Sequence, residues 1–170
     1  MVESKTDTNN KVHINTAEYL YESPFGIIKI GSDGSAITYV KLLNDNNRIG
    51  EKTSDNLTDK TAKQLDEYFS GKRLSFNLPL NPQGTDFQRS VWNALCVVPY
   101  GETKSYKQIA EIIMKPKACR AVGAANNKNP IWIIIPCHRV IGSNGALIGY
   151  GGGLEMKKYL LDLERKNINI

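Results

Sequence analysis

Cysteine is scarce in this 170-residue chain, and its three copies, Cys96, Cys119 and Cys137, cannot all pair with one another. The two histidines, His13 and His138, stand far apart, and no CxxC or HxxxH pair occurs. Those absences argue against a structural zinc site and leave no metal to expect. Long apolar runs are missing too: none approaches the roughly 20 residues that span a bilayer. Residues 1–15 are polar and mixed in charge, so they do not read as a secretion signal. An odd number of thiols without such a signal fits free cysteines in a reducing compartment, and the expectation is a soluble cytoplasmic protein.

What is present is globular in composition, 41% hydrophobic and 23% charged, in a length that suits one ordinary domain or two small ones. The net charge of +5 is unevenly spread. Residues 1–82 carry ten Lys/Arg against eleven Asp/Glu, whereas residues 83–170 carry twelve against six. Between positions 104 and 128 lie Lys104, Lys107, Lys115, Lys117, Arg120 and Lys128, with Glu111 as the one acid. A one-sided patch of this kind suits a polyanion-binding surface, and it equally suits a solvated helix face.

The pattern along the chain divides at the same place as the charge. Residues 1–15 lack periodicity and read as a loose terminus. Strands are expected over 17–21, 26–31 and 36–43, with Ser23-Pro24 and Ser32-Asp33-Gly34 as turns. A polar loop over 48–56 leads into a helix over 58–69, with Ala62, Leu65 and Phe69 at helical spacing and Gly71 as its stop. Alternation over 74–80 predicts a further short strand. The first 82 residues thus read as a small α+β domain, and Asn81-Pro82-Gln83-Gly84 as the linker to residues 83–170.

The second half opens on Thr85-x-x-Gln88, a capping box followed by Phe87, Val91 and Leu95, and Pro99-Tyr100-Gly101 ends that helix. Another capping box, Ser105-x-x-Gln108, starts a helix to about Met114 that should bury Ile109, Ile112 and Ile113. Pro116 suits the first turn of a third helix running to about Asn127. Two short helices broken at Lys115-Pro116 match a helix-turn-helix, with the second as recognition helix. The apolar run 131–135 has the character of a buried strand and ends in Pro136-Cys137-His138-Arg139-Val140. A glycine-rich loop follows, and a helix over 155–165 should pack through Leu154, Tyr159, Leu160 and Leu163. The fold class is α+β, a small sheet domain followed by a mainly helical domain that holds the helix-turn-helix and Cys137.

Cys137 is the candidate nucleophile. A thiol attacks only as thiolate, and a neighbouring imidazole and guanidinium favour that form. Adjacent residues of an extended chain point to opposite faces, so for His138 to serve Cys137 either the backbone turns or a water bridges them. The same dipeptide is compatible with a cysteine that merely fills the core.

Pro136-Cys137-His138-Arg139-Val140 resembles the active-site signature of the O6-alkylguanine-DNA alkyltransferases. Phe87-Gln88-x-x-Val91-Trp92, Pro99-Tyr100-Gly101, Ser105-Tyr106, Arg120-Ala121-Val122-Gly123, Asn129-Pro130, Gly149-Tyr150-x-Gly152-Gly153 and Leu160, Leu161 and Glu164 stand around it in that family's order and spacing. The match covers the whole second half. It extends to Glu67-Tyr68-Phe69-x-Gly71 and Gly84-Thr85, and more weakly to Ser23-Pro24-Phe25-Gly26.

The resemblance implies a single-turnover DNA repair protein without a cofactor, acting as a monomer on double-stranded DNA through the minor groove. Cys137 would displace the alkyl group from O6 of a flipped guanine, or from O4 of a thymine, and end as a thioether. His138 would take the thiol proton through a bound water, with Glu164 orienting the imidazole. Tyr106 would protonate the departing guanine and crowd a phosphate, and Arg120 would fill the gap left by the extruded base. Lys104, Lys107, Lys117 and Lys128 would meet the phosphates. Asn129 would hold the turn into the site strand, while Pro136, the Val140 carbonyl, Ser143, Tyr150, Gly151 and Gly152 would form the guanine pocket. Arg139 should make a structural ion pair. Two positions depart from the family pattern: Met114-Lys115-Pro116 stands where a glycine often precedes the proline, and Gly151 where a serine is common. A lesion-binding module, a helix-turn-helix regulator and a cysteine hydrolase are the competing classes; the retained Cys137, the site strand and the lack of a recognisable oxyanion hole count against them in turn.

Overall fold

The computed structural model describes residues 17–43 and 53–168. The expected loose terminus and positions 48–52 of the polar loop lie outside them. Strands β1 (Ala17–Ser23), β2 (Gly26–Ser32) and β3 (Ile37–Leu42) form an antiparallel sheet in that order. The first hairpin turns at Pro24-Phe25, where proline presets φ and Ser23 Oγ donates to the Gly26 carbonyl at 2.6 Å. The second turn is wrapped around Asp33, whose carboxylate accepts from the Ser35 and Ala36 amides and from Asn81. Gly31 faces Tyr39 across the sheet, and a Cβ there would overlap the Tyr39 ring.

Helix α1 (Asn56–Phe69) starts two residues earlier than expected because Asp55 caps it. The Asp55 side chain accepts from the Thr58 amide and Thr58 Oγ1 receives the Asp55 N–H, a capping box with a threonine in the usual Glu/Gln place. Ala62, Leu65 and Tyr68 face the sheet core.

The strand expected over 74–80 is absent. That segment is an extended strap with one parallel bridge, Leu80 to Ile37, flanked by Pro79 and Pro82, which cannot donate to a ladder. The side chain of Gln64 satisfies both backbone groups of Asn77 instead, at 3.0 and 3.2 Å. Phe76, Leu78 and Leu80 pack on the core, so the alternation reports burial of one face, with pairing to β3 only at Ile37.

Helices α2 (Asp86–Cys96), α3 (Tyr106–Ile112) and α4 (Cys119–Asn127) build the second half, and both expected capping boxes are formed, at Thr85/Gln88 and Ser105/Gln108. The fully buried Trp92 links α2 to α4 through its indole N–H to the Ala125 carbonyl at 2.9 Å. Ile112, expected inside, is 45% exposed. Helix α3 ends in a Schellman turn, with the Lys115 amide on the Ala110 carbonyl and the Met114 amide on the Glu111 carbonyl. Met114 itself holds the left-handed position, φ 57°. Pro116 does not start the third helix: it occupies the second position of a turn closed from the Ala118 amide to the Lys115 carbonyl, where its fixed φ fits equally well, and α4 begins at Cys119.

The expected strand over 131–135 is likewise a compact turn. Ile131 bridges to Val40, and then the chain coils, with Ile135 N–H on the Ile131 carbonyl and Ile133 at φ 71°. Asn129 is the template: its amide donates to the carbonyls of Ile135 (2.8 Å) and Ile131 (3.3 Å), and its Oδ1 accepts the Ile131 N–H. An apolar run reports burial, and here a buried side chain supplies the hydrogen bonds a sheet would have supplied.

A 3-10 turn over Cys137–Arg139 leads into β5 (Val140–Ile141), which pairs in parallel with β4 (Lys104–Ser105). Helix α5 (Leu154–Ile168) buries Met156, Lys157, Leu160, Leu161 and Glu164. Its inner face is therefore rotated from the one expected, and Leu154 and Tyr159 are 50% and 38% exposed. Apolarity misplaced the face because two of its inward residues are charged.

Candidate active site

Pro136 brings the chain from the Asn129-templated turn into the 3-10 turn, so the backbone does bend at Cys137. Cys137 is 3% exposed, at the start of that turn. Burial pushes its thiol up to about 11, opposed by the Asn129 amide and the Lys157 charge, so it rests as the neutral thiol.

His138 and Glu164 are fully buried, with Nε2 2.7 Å from Oε1. Burial works against the Glu164 charge, but the bonds from His138 and Arg139 outweigh it and hold the carboxyl down at about 2. Burial also lowers His138 below its usual value, assisted by the Arg139 and Lys157 charges and resisted by Glu164. The pair is therefore a carboxylate and a neutral imidazole. Nε2 facing an ionised oxygen carries the hydrogen, which leaves Nδ1 as the basic lone pair. Nδ1 is buried and has no partner among the described protein groups.

The chain supplies more to this cluster than its sequence pattern shows. Arg139 makes the expected ion pair, and its partner is Glu164: Nε reaches Oε2 at 2.9 Å, a second guanidinium nitrogen reaches Oε1 at 3.0 Å, and the third donates to the Val98 carbonyl. The Gly101 amide adds a bond to Oε2 at 2.9 Å. Glu164 thus takes bonds from His138, Arg139 and Gly101, and not from Lys157. Lys157, buried and lowered by that burial to about 8, instead donates to the carbonyls of Val140 (2.6 Å), Ile148 (2.9 Å) and Gly149 (3.4 Å). It ties the glycine-rich loop to the strand after Cys137. Asn126 of α4 donates to the Cys137 carbonyl at 3.3 Å, with its own Oδ1 buried and without a partner among the described residues. Lys157 and Asn126 are buried polar residues, which break the pattern by which helix faces are read from a sequence; the phase of α5 around Glu164 is the available signal.

Of the remaining expected residues, Tyr106 at the start of α3 donates to the Ile148 carbonyl at 2.8 Å, which places the phenol on the rim of the loop. The Val140 carbonyl, expected to meet guanine, already takes the Lys157 ammonium and keeps one lone pair. Tyr150 is buried against Trp132, ring centroids 5.8 Å apart, with its hydroxyl lacking a partner among the described residues. Gly151 and Gly152 lie on the Trp132 ring, and a Cβ at Gly151 would overlap it. Ser143 is exposed. Arg120 is exposed in the first turn of α4, as are Lys107, Lys117 and Lys128 around the helix pair, while Lys104 is half-buried in β4. These cations lie outside the buried cluster.

Residues 17–82 match the family described as 6-O-methylguanine DNA methyltransferase, ribonuclease-like domain, and residues 86–166 match its DNA binding domain. A methylated-DNA–protein-cysteine methyltransferase of Methanosarcina barkeri is 53% identical over 154 residues, covering 88% of this chain and 97% of its own length. One from Mycobacterium leprae is 45% identical over 150 residues, 86% and 91% of the two chains. A crystal structure of Mycobacterium tuberculosis OGT in complex with DNA superimposes with a TM-score of 0.80 at 44% identity, covering 87% of this chain and 92% of that one. With the buried Cys137, His138 and Glu164 cluster in place, the chain belongs to the 6-O-methylguanine DNA methyltransferase family.

Proposed function

We propose that this chain repairs DNA by moving an alkyl group from O6 of guanine onto its own Cys137, once per molecule. The observation that carries this is the buried thiol one residue from a neutral imidazole whose Nε2–H is held by an ionised Glu164 and whose Nδ1 has no partner among the described residues. In the reaction the Cys137 proton passes to Nδ1 of His138 through a bound water. The sulfur then attacks the alkyl carbon as the bond from that carbon to O6 breaks, and the guanine takes up a proton as it leaves. Tyr106 is the group we assign to that last transfer. In sum, a thiol hydrogen is exchanged for an alkyl group, and no cofactor is consumed. A thioether cannot return to thiolate under these conditions, so the protein is spent.

The alkylated O6 lies inside a stacked duplex and must be swung out to meet a buried sulfur, at a cost of a few kcal/mol. We assign Arg120 to the space the base vacates and Lys104, Lys107, Lys117 and Lys128 to backbone phosphates on the minor-groove side. Asn129, Pro136, Val140, Ser143, Tyr150, Gly151 and Gly152 would form the pocket, within residues 83–170, which residues 1–82 support. A free thiol working on DNA suits the reducing cytoplasm, and among the described residues no helix is long and apolar enough to cross a membrane.

Cys137→Ala tests the assignment. Its affinity for a duplex with one O6-methylguanine should stay within about twofold of the parent while repair disappears; residual repair by the variant would refute the nucleophile.

A further inference from the structure

The proposed chemistry draws on the second half alone, yet α1 sends one side chain into its centre. Tyr68 is fully buried, and its hydroxyl donates to Glu164 Oε1 at 2.7 Å and stands 3.5 Å from His138 Nε2. The ring is fixed by Phe69, Phe76 and Tyr100, at centroid distances of 5.6, 5.5 and 6.1 Å. A phenylalanine would satisfy that packing, so the hydroxyl is what distinguishes the position. Burial and the Glu164 charge keep the phenol protonated, hence always a donor to that carboxylate. Oε1 consequently receives three donors, from Tyr68, His138 and Arg139, on an atom with two lone pairs.

We infer that Tyr68 is a positioning residue for alkyl transfer, its hydroxyl sharing the Glu164 oxygen that orients His138, so that the N-terminal half takes part in the chemistry. The role rests on Cys137 being the nucleophile and His138 its base. Each donor on Oε1 drains negative charge that would otherwise be felt by the His138 Nε2–H. Without the hydroxyl, Glu164 pulls harder on that hydrogen, the imidazolium becomes easier to form, and Nδ1 holds a proton to higher pH. The other groups facing His138 stay in place: Arg139 and Cys137 in the 3-10 turn, Lys157 on α5, and Tyr100 behind Tyr68.

Tyr68→Phe in the full chain is the test, read as the single-turnover rate of transfer from an O6-methylguanine duplex across pH, beside the parent. The acid limb of the profile should move up by about half to one pH unit, which slows transfer below it roughly three- to tenfold, with duplex affinity unchanged. In a His138→Gln background the same substitution should add no shift, because the hydroxyl acts through that imidazole. An unshifted limb in a variant that transfers like the parent would overturn the inference, and so would an equal loss at every pH with a lowered melting temperature, the mark of a packing role alone. A parent protein that fails to alkylate Cys137 at all would remove the proposed function itself, and the Tyr68 role with it.

Discussion

Glu164 concentrates the stakes of the molecule on one side chain. It is fully buried and takes bonds from His138, Arg139, Tyr68 and the Gly101 amide, four contributions from three segments of the chain. Its carboxyl sits at about 2 against an ordinary 4.5. A depressed carboxylate contributes stability that is complete above the ordinary value and is lost as pH falls from there toward about 2, on the order of 3 kcal/mol in all. His138 adds in the same direction below its usual 6.5, since the unfolded chain protonates it more readily. Unfolding in denaturant should therefore become easier as pH falls below about 6.5, most markedly between about pH 4.5 and about pH 2. Glu164→Gln should lose about 3–5 kcal/mol near neutrality by stranding Arg139, and its stability should vary much less across that acid window. If the variant proved as acid-sensitive as the parent, the carboxylate would not be the source.

At the scale of elements, the break between α3 and α4 is held by a residue poorly suited to it. Met114 adopts φ 57° at the left-handed position of the Schellman turn and is 88% exposed. A side chain there costs about 1–2 kcal/mol in left-handed strain, part of which glycine gives back through its freer unfolded state. Met114→Gly should raise stability by about 0.5–1 kcal/mol, seen as a higher denaturant midpoint at constant slope; an unchanged or lower midpoint would mean the turn is unstrained. Ile133, also left-handed at φ 71°, offers no such gain, because it is fully buried and glycine would leave a cavity. The two sites differ in legibility for the same reason. Capping boxes at Thr85 and Ser105 are local chemistry and could be read directly, whereas the 131–135 run carried only the information that it is buried. Its coil is dictated by Asn129 and the bridge to Val40, contacts that no periodicity encodes. Helix α5 is legible in the sequence but its inner face is not, since the charged Lys157 and Glu164 point inward.

Across the whole molecule, the two halves share one core running from Tyr21 and Ile28 through Trp92 to Leu160. The bridge from Val40 to Ile131 joins the sheet to the turn before Cys137, and Tyr68 joins α1 to Glu164. The excess of positive charge lies in the second half, where Arg120, Lys107, Lys117 and Lys128 are exposed around the helix pair, as a surface meeting phosphates requires. The proposed nucleophile and base are legible because Cys137 and His138 share one motif, while Glu164, 26 residues beyond His138, and Tyr68, 70 residues before it, join the cluster through the fold. Peptide mass spectrometry, after incubation with a duplex holding a single O6-methylguanine, bears most directly on the central claim. The peptide containing Cys137 should gain one methyl group, one per chain and no more with longer incubation; a protein that binds this duplex tightly and leaves Cys137 unmodified would contradict it.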